Sequence, residues 1–294
     1  MSTQEQAALL VLLEEAQHGW SSLTDQVEER GSALSLLEGV DDGQARLFDT
    51  GTPTDDRLQD ARDRIDGWER EGIHFATLLD DEYPAQLLMI HQRPPFVTWR
   101  GTLDARDARG VAVVGTRVAS PAGLAQARAL ASGLAERGIP VVSGGAAGID
   151  TAALTGALDV GGRTIAVIGT GQHHAYPREN AALQERIAKE GLVLSQFLPD
   201  SPPTKISFPM RNAVMSGYSA ATVVIEAAWK SGARMQARLA LEHGRAVFLM
   251  RSLLEHDWAL DYAQRPGATV IDDVDDIVKR LQTTLASHDE LVWS

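Results

Sequence analysis

The residues best suited to chemistry in this chain fall in a few short segments, most of them where an apolar run ends. The most distinctive is Lys205-Ile206-Ser207-Phe208-Pro209-Met210-Arg211-Asn212. Two cations flank an aromatic, a combination that holds single-stranded nucleic acid through phosphate contacts and a base stacked on the ring. A core phenylalanine between two solvated cations has the same pattern. Gly115-Thr116-Arg117 follows the run VAVV and precedes an alanine-rich segment. Backbone N–H groups and the positive end of a helix dipole favour an anion at such a junction. Arg117 there fits a phosphate fork or, equally, a structural salt bridge.

A second loop, Ser143-Gly144-Gly145-Ala146-Ala147-Gly148-Ile149-Asp150, is glycine-rich and suited to close approach of a ligand, with Asp150 placed to cap the helix that follows. It lacks the Gly-Lys-Ser or Gly-Lys-Thr ending of a Walker loop, which disfavours nucleoside triphosphate binding in that mode. A third loop, Gly169-Thr170-Gly171-Gln172-His173-His174-Ala175-Tyr176-Pro177, carries two adjacent histidines whose side chains diverge, so a surface loop is favoured over a metal site. Tyr176-Pro177 reads as a rigid turn that starts the next helix. Glu226, at a strand end, either anchors local backbone or acts on a nucleotide. No nucleophile with a base and a third orienting group is visible, so no catalytic residue, metal or cofactor is assigned.

These loops need a frame that brings them to one edge. Apolar runs at Val111–Gly115, Ile139–Ser143, Thr164–Gly169, Leu192–Ser195, Thr222–Glu226, Ala246–Met250 and Ala268–Ile271 alternate with segments of mostly helical length. The alternation predicts an α/β fold with a doubly wound, mostly parallel sheet, and places the site at the carboxyl ends of its strands. Ahead of it, IHFATLL and PPFVTWRG predict two strands bracketing a short helix. Residues 1–65 predict a small acidic helical domain that serves packing or docking, and residues 66–294 the sheet domain.

Composition bounds the function. The 294 residues contain no cysteine, which excludes disulfides and thiolate metal sites and fits a reducing cytoplasm. No 18-residue apolar run appears, so a soluble, cytoplasmic protein without membrane contact is expected. The net charge of −13 argues against a protein that coats itself in nucleic acid. Yet residues 161–251 carry 11 Lys and Arg against 6 Asp and Glu, while the remainder carries 16 against 34. An acidic body can thus still present a phosphate-binding face.

Taken together, DDEYPAQL, RPPFVTWRG, VAVVGTR, VVSGGAAGIDTAA, TIAVIGTG with YPREN, GLVLSQF, FPMRN and VVIEAAWKSG resemble, in order, the DprA (Smf) family of DNA-processing proteins. The resemblance covers about residues 73–271 and implies an extended Rossmann-like fold. It further implies a homodimer that binds and protects single-stranded DNA and helps load a recombinase of the RecA type in natural transformation. It assigns DNA contact to Arg117, Lys205 and Phe208, and includes Arg211 and Asn212 in the site; Lys230 and Arg234 are further candidates. Gly115, Thr116, Ser143, Gly144, Gly145, Gly148, Gly169 and Gly171 become the phosphate-facing loops. A nucleotide-binding enzyme of the phosphoribohydrolase kind and a scaffold without ligand are the competing readings. The chain departs from the family pattern at Ala122, Leu154, Ala233 to Ala237 and Met250-Arg251, and no winged-helix domain is expected after the sheet. The helical start is SAM-like or degenerate.

Overall fold

In the computed structural model, described for residues 3–15, 20–39 and 54–282, a single nine-stranded sheet carries the molecule. Four helices come first: α1 (Thr3–Glu15), α2 (Trp20–Arg30), α3 (Ala33–Glu38) and α4 (Thr54–Arg70). Then follow β1 (His74–Thr77), α5 (Ala85–Leu88), β2 (Phe96–Gly101), β3 (Val111–Val114), α6 (Pro121–Glu136), β4 (Val141–Ser143), α7 (Ile149–Asp159), β5 (Thr164–Val167), α8 (Ala181–Glu190) and β6 (Leu192–Ser195). The remainder is α9 (Ser207–Tyr218), β7 (Ala221–Val224), α10 (Gly232–Glu242), β8 (Ala246–Met250), α11 (Asp257–Ala263) and β9 (Ala268–Ile271).

The strand order is β1-β2-β6-β5-β4-β3-β7-β8-β9. Pairing is parallel from β6 to β9, whereas β2 runs antiparallel to both β1 and β6. The central strands are Val- and Ile-rich and buried along their whole length, as strands covered on both faces must be. The chain steps from β3 through β4 and β5 to β6 and, in the opposite direction, from β7 through β8 to β9; the right-handed rule for such crossovers puts α6 to α8 on one face and α10 on the other. All seven expected runs from Val111 onward are strands. Several ladders stop short of the expected ends, at Val114, Val167 and Val224, because the next residues turn away into the loops that build the site.

The expected boundary at 65/66 falls inside α4, which continues to Arg70. Nor do the amino-terminal helices have a core of their own. Residues Ala7–Leu13 of α1 are buried in one apolar cluster with Phe75 and Phe96 of the sheet, and Trp20 meets Phe96 edge-on at 5.4 Å. Between α2 and α3 Gly31 turns the chain with φ 67° and Ser32 caps α3, which ends at Gly39. The run DTGTP ahead of α4, a turn signal by its residue types, lies outside the described residues.

Candidate functional site

β3 and β7 are neighbours, yet the chain leaves β3 in one direction and β7 in the other. The crevice at their carboxyl ends is therefore the switch point of the sheet, the place where open α/β sheets take ligands. A cleft of about 430 Å³ opens there between Thr116 and Arg117 of the first loop and Lys230, Ser231 and Gln236 at the start of α10. The amino end of α9 supplies a third wall with Phe208, Arg211 and Asn212. A smaller cleft of about 180 Å³ lies against Arg117, Gly144, Ala146, Tyr176 and Phe208. Phe208 borders both.

Local sequence sets this geometry. Ser207 N–H donates to Thr204 Oγ1 and Thr204 N–H to Ser207 Oγ, both at 3.1 Å, so the turn before α9 is closed reciprocally. Pro209 sits in the first turn, where its missing N–H costs no helical bond. Phe208 is thus presented half-buried at the helix start. The Arg117 guanidinium lies 5.3 Å from the centre of its ring, within cation–π range, and Tyr176 packs at 5.2 Å with a 43° tilt. A Cβ on Gly169 would come within 2.8 Å of Phe208 Cδ1, so the third loop passes directly against the ring.

Arg211 occupies a different environment from the solvated cation that the segment suggested. It is 5 % exposed, and its Nη1 donates to Gly144 O and, at 2.7 Å, to Val167 O, tying the ends of β4 and β5 together. Gly144 is needed for this approach, since a Cβ there would sit 1.8 Å from Arg211 Nη1. Burial lowers the Arg211 pKa and raises that of Asp150, and each charge opposes the other's shift. Asp150 is not the cap of α7, because Gly148 is the residue before the helix. Its Oδ2 instead accepts the Gly144 and Ala146 N–H groups at 3.1 and 3.3 Å, holding the second loop from inside. Asn212 is also buried but lines the main cleft.

Several loop residues expected to face an anion are committed to protein. Ser143 Oγ donates to Val113 O at 2.7 Å, and Thr116 Oγ1 bonds within its own turn to Val118. Gly115 packs under Ile149, and Gly171 lies against the Leu198 and Pro199 carbonyls. Gly148, at φ 80°, brings the second loop onto the first, where Ile149 N–H donates to Thr116 O. Gly145 has its carbonyl held by Asn180 Nδ2 at 2.9 Å; Asn180 also donates to Thr151 Oγ1. Asn180 and Thr151 brace the loop, a role their sequence context did not signal. Glu226 anchors backbone: its carboxylate accepts Ser120 N–H and, at 2.8 Å, Ser120 Oγ.

Lys205 is exposed in the turn before α9, outside the lining of the two clefts. Among the described residues Arg117, Lys205, Lys230 and Arg234 form no ion pair, although thirteen arginine–carboxylate pairs form elsewhere. Asp150, the carboxylate in the cleft lining, faces Arg211, while Arg117 and Lys230 line the cleft without an ion pair, so the charge on its walls is positive. His173 is held between Asp200 (2.7 Å) and Glu71 (2.8 Å), and His174 Nε2 meets Asp200 O at 3.0 Å. Among the described residues no group of His, Asp and Glu is arranged to hold a metal ion. No described helix is long and apolar enough to cross a membrane.

Fold and cleft define a Rossmann-like protein with a cationic, aromatic-lined cleft at its switch point. The model of the family described as DNA recombination-mediator protein A matches residues 74–282, and the chain belongs to this family. It is 42% identical over 172 residues to the DNA processing protein DprA of Streptococcus pneumoniae, and 42% identical over 184 residues to Protein Smf of Synechocystis. These matches cover 58% and 61% of the chain but only 61% and 46% of the two relatives. The X-ray structure of the S. pneumoniae protein superposes with a TM-score of 0.73 at 31% identity, over 95% of this chain and 98% of that one. A Helicobacter pylori DNA processing protein A, whose structure is described for its single-stranded DNA binding mode, superposes with a TM-score of 0.63 at 29% identity, over 71% and 96%.

Proposed function

We propose that this chain binds single-stranded DNA across the switch-point cleft. The observation that carries the reading is the Arg117 guanidinium over the half-buried Phe208 ring, with open space bordering that ring in both clefts. A base stacks at Phe208, while Arg117, Lys205 and Lys230 neutralise phosphates; Asn212 lines the base-side cleft, and Arg211 acts as the strut beneath. The binding mode described for the H. pylori relative supports the assignment of ligand class. In the same reading the protein is a homodimer of the cytoplasm that protects the strand and assists loading of a RecA-type recombinase in DNA uptake or recombination. It binds without a chemical step.

The test is equilibrium anisotropy of a labelled single strand and its duplex at several salt concentrations. Wild type should prefer the single strand, with log affinity falling against log salt at about −0.7 per phosphate contacted, hence about −2 for three contacts. Phe208→Ala should weaken binding by about 1–3 kcal/mol with the slope unchanged, and Lys205→Ala should reduce both affinity and slope. Salt-independent binding by wild type would remove the phosphate contacts from the account.

A further inference from the structure

A second cation–aromatic pair lies next to the cleft, its Trp229 standing between Ala228 and Lys230, which line it. After β7 the chain reads Glu226-Ala227-Ala228-Trp229-Lys230-Ser231-Gly232, and Ser231 caps α10. Trp229 is 60% exposed, in contrast to Trp68, Trp99 and Trp258, each below 9%. Its ring is nevertheless fixed. The Arg234 guanidinium, one turn into α10, lies 3.8 Å from the ring centre, and Arg234 Nη1 donates to Trp229 O at 3.1 Å. The bond closes the six-residue segment from Trp229 to Arg234 and holds the guanidinium against the indole without burying it. Lys230, next in the chain, lines the main cleft and forms no ion pair. An exposed indole held by an arginine beside a free lysine repeats, at the β7 side, the chemistry of Phe208, Arg117 and Lys205 at the other.

A surface indole has no packing reason to be held in this way, and Arg234 lies in the segment where the chain departs from its family's usual sequence. We infer that Trp229 and Arg234 form a second stacking platform, on which a further base of the same single strand rests while Lys230 takes the phosphate between. The inference depends on the strand crossing the cleft as proposed above. Two rigid platforms joined by a cationic floor hold a strand long enough to reach both, whereas a shorter one engages only Phe208. Aromatic stacking tolerates any base, so the second platform adds affinity and length dependence rather than sequence preference.

The experiment is a length series of oligothymidylates titrated into wild type, Trp229→Ala, Trp229→Phe and Phe208→Ala, with tryptophan emission and anisotropy read together. Wild-type affinity should step up about tenfold once the strand spans both platforms, and emission should be quenched at that step. Trp229→Ala should lose the step yet bind the shortest oligomers as wild type does. Trp229→Phe should keep the step and lose the quench. Trp229 is at the surface, so circular dichroism matching wild type is expected for both variants. If Trp229→Ala follows wild type at every length while Phe208→Ala is weakened, the platform is overturned and the Phe208 site stands. If wild type binds no single strand of any length, both fall.

Discussion

At the level of single residues, the segment KISFPMRN shows how one motif divides between ligand and frame. Phe208 and Lys205 face outward, but Arg211, six residues after Lys205 and three after Phe208, points inward to two strand carbonyls. Helical spacing alone does not decide this, because the same face of α9 borders both cleft and core. What decides it is the glycine at 144, which leaves room for a guanidinium and nothing else. The consequence is measurable. Arg211→Ala leaves Asp150 buried without its compensating charge and should cost about 3–5 kcal/mol of stability, seen as a lowered midpoint in chemical denaturation. Gly144→Ala, which forces Arg211 aside, should lower it as well. If either variant keeps wild-type stability and loses only DNA affinity, Arg211 is a ligand contact rather than a strut.

At the level of elements, the alternation of apolar runs and helical segments made the parallel sheet legible, since strands buried on both faces have no polar alternation to confuse with a surface strand. The four carboxyl-end loops were legible for the same reason. Their internal bonding was not, apart from the backbone anchor read for Glu226: Asp150, Ser143 and Asn180 have the side chains of caps and ligand contacts, and only the packing of neighbouring loops commits them to backbone. Trp229 and Tyr176 escaped because an aromatic beside small or turn-forming residues looks the same whether it packs or projects. The tie between the helical start and the third loop was equally hidden, as it joins residues a hundred positions apart. There His173 Nδ1 and Nε2 meet the Asp200 and Glu71 carboxylates, which only accept, so the protonated imidazolium donates to both. The Asp200 hydrogen bond raises the His173 pKa above its ordinary 6.5, desolvation works against it, and Glu71 adds to the rise. A group with a raised folded pKa stabilises fully below its unfolded value, and that contribution is lost as pH climbs through the folded one. Thermal midpoints should therefore fall as pH rises above about 6.5 in wild type by more than in His173→Gln. Equal pH profiles would show that the clamp does not hold the loop.

Across the whole molecule, the two edges of the sheet are built for different work. The carboxyl edge carries unpaired cations around an open cleft, in a chain whose net charge is −13. The amino edge is closed by one buried carboxylate. Asp107, fully buried just before β3, accepts Arg163 Nε and Nη2 at 2.8 and 2.7 Å and Tyr218 O–H at 2.8 Å. Arg163 in turn reaches Thr102, so residues flanking β2, β3, β5 and β7 meet at this point. Burial and the neighbouring Asp107 charge both raise the Tyr218 pKa, keeping its hydroxyl a proton donor at any physiological pH. The arrangement pins four strands at the end remote from the cleft, which lets the loops at the other end keep cations unpaired and rings half exposed. Asp107→Asn keeps the shape but removes the charge, leaving Arg163 part-buried without its carboxylate. It should lower stability by about 3 kcal/mol or more, read from denaturant midpoints, while oligonucleotide affinity and its salt slope stay at wild-type values under conditions where the variant is folded. Loss of affinity in a folded Asp107→Asn protein would mean instead that the two edges are mechanically coupled, with strand pairing at the base setting the spacing of Arg117, Phe208 and Lys230 above.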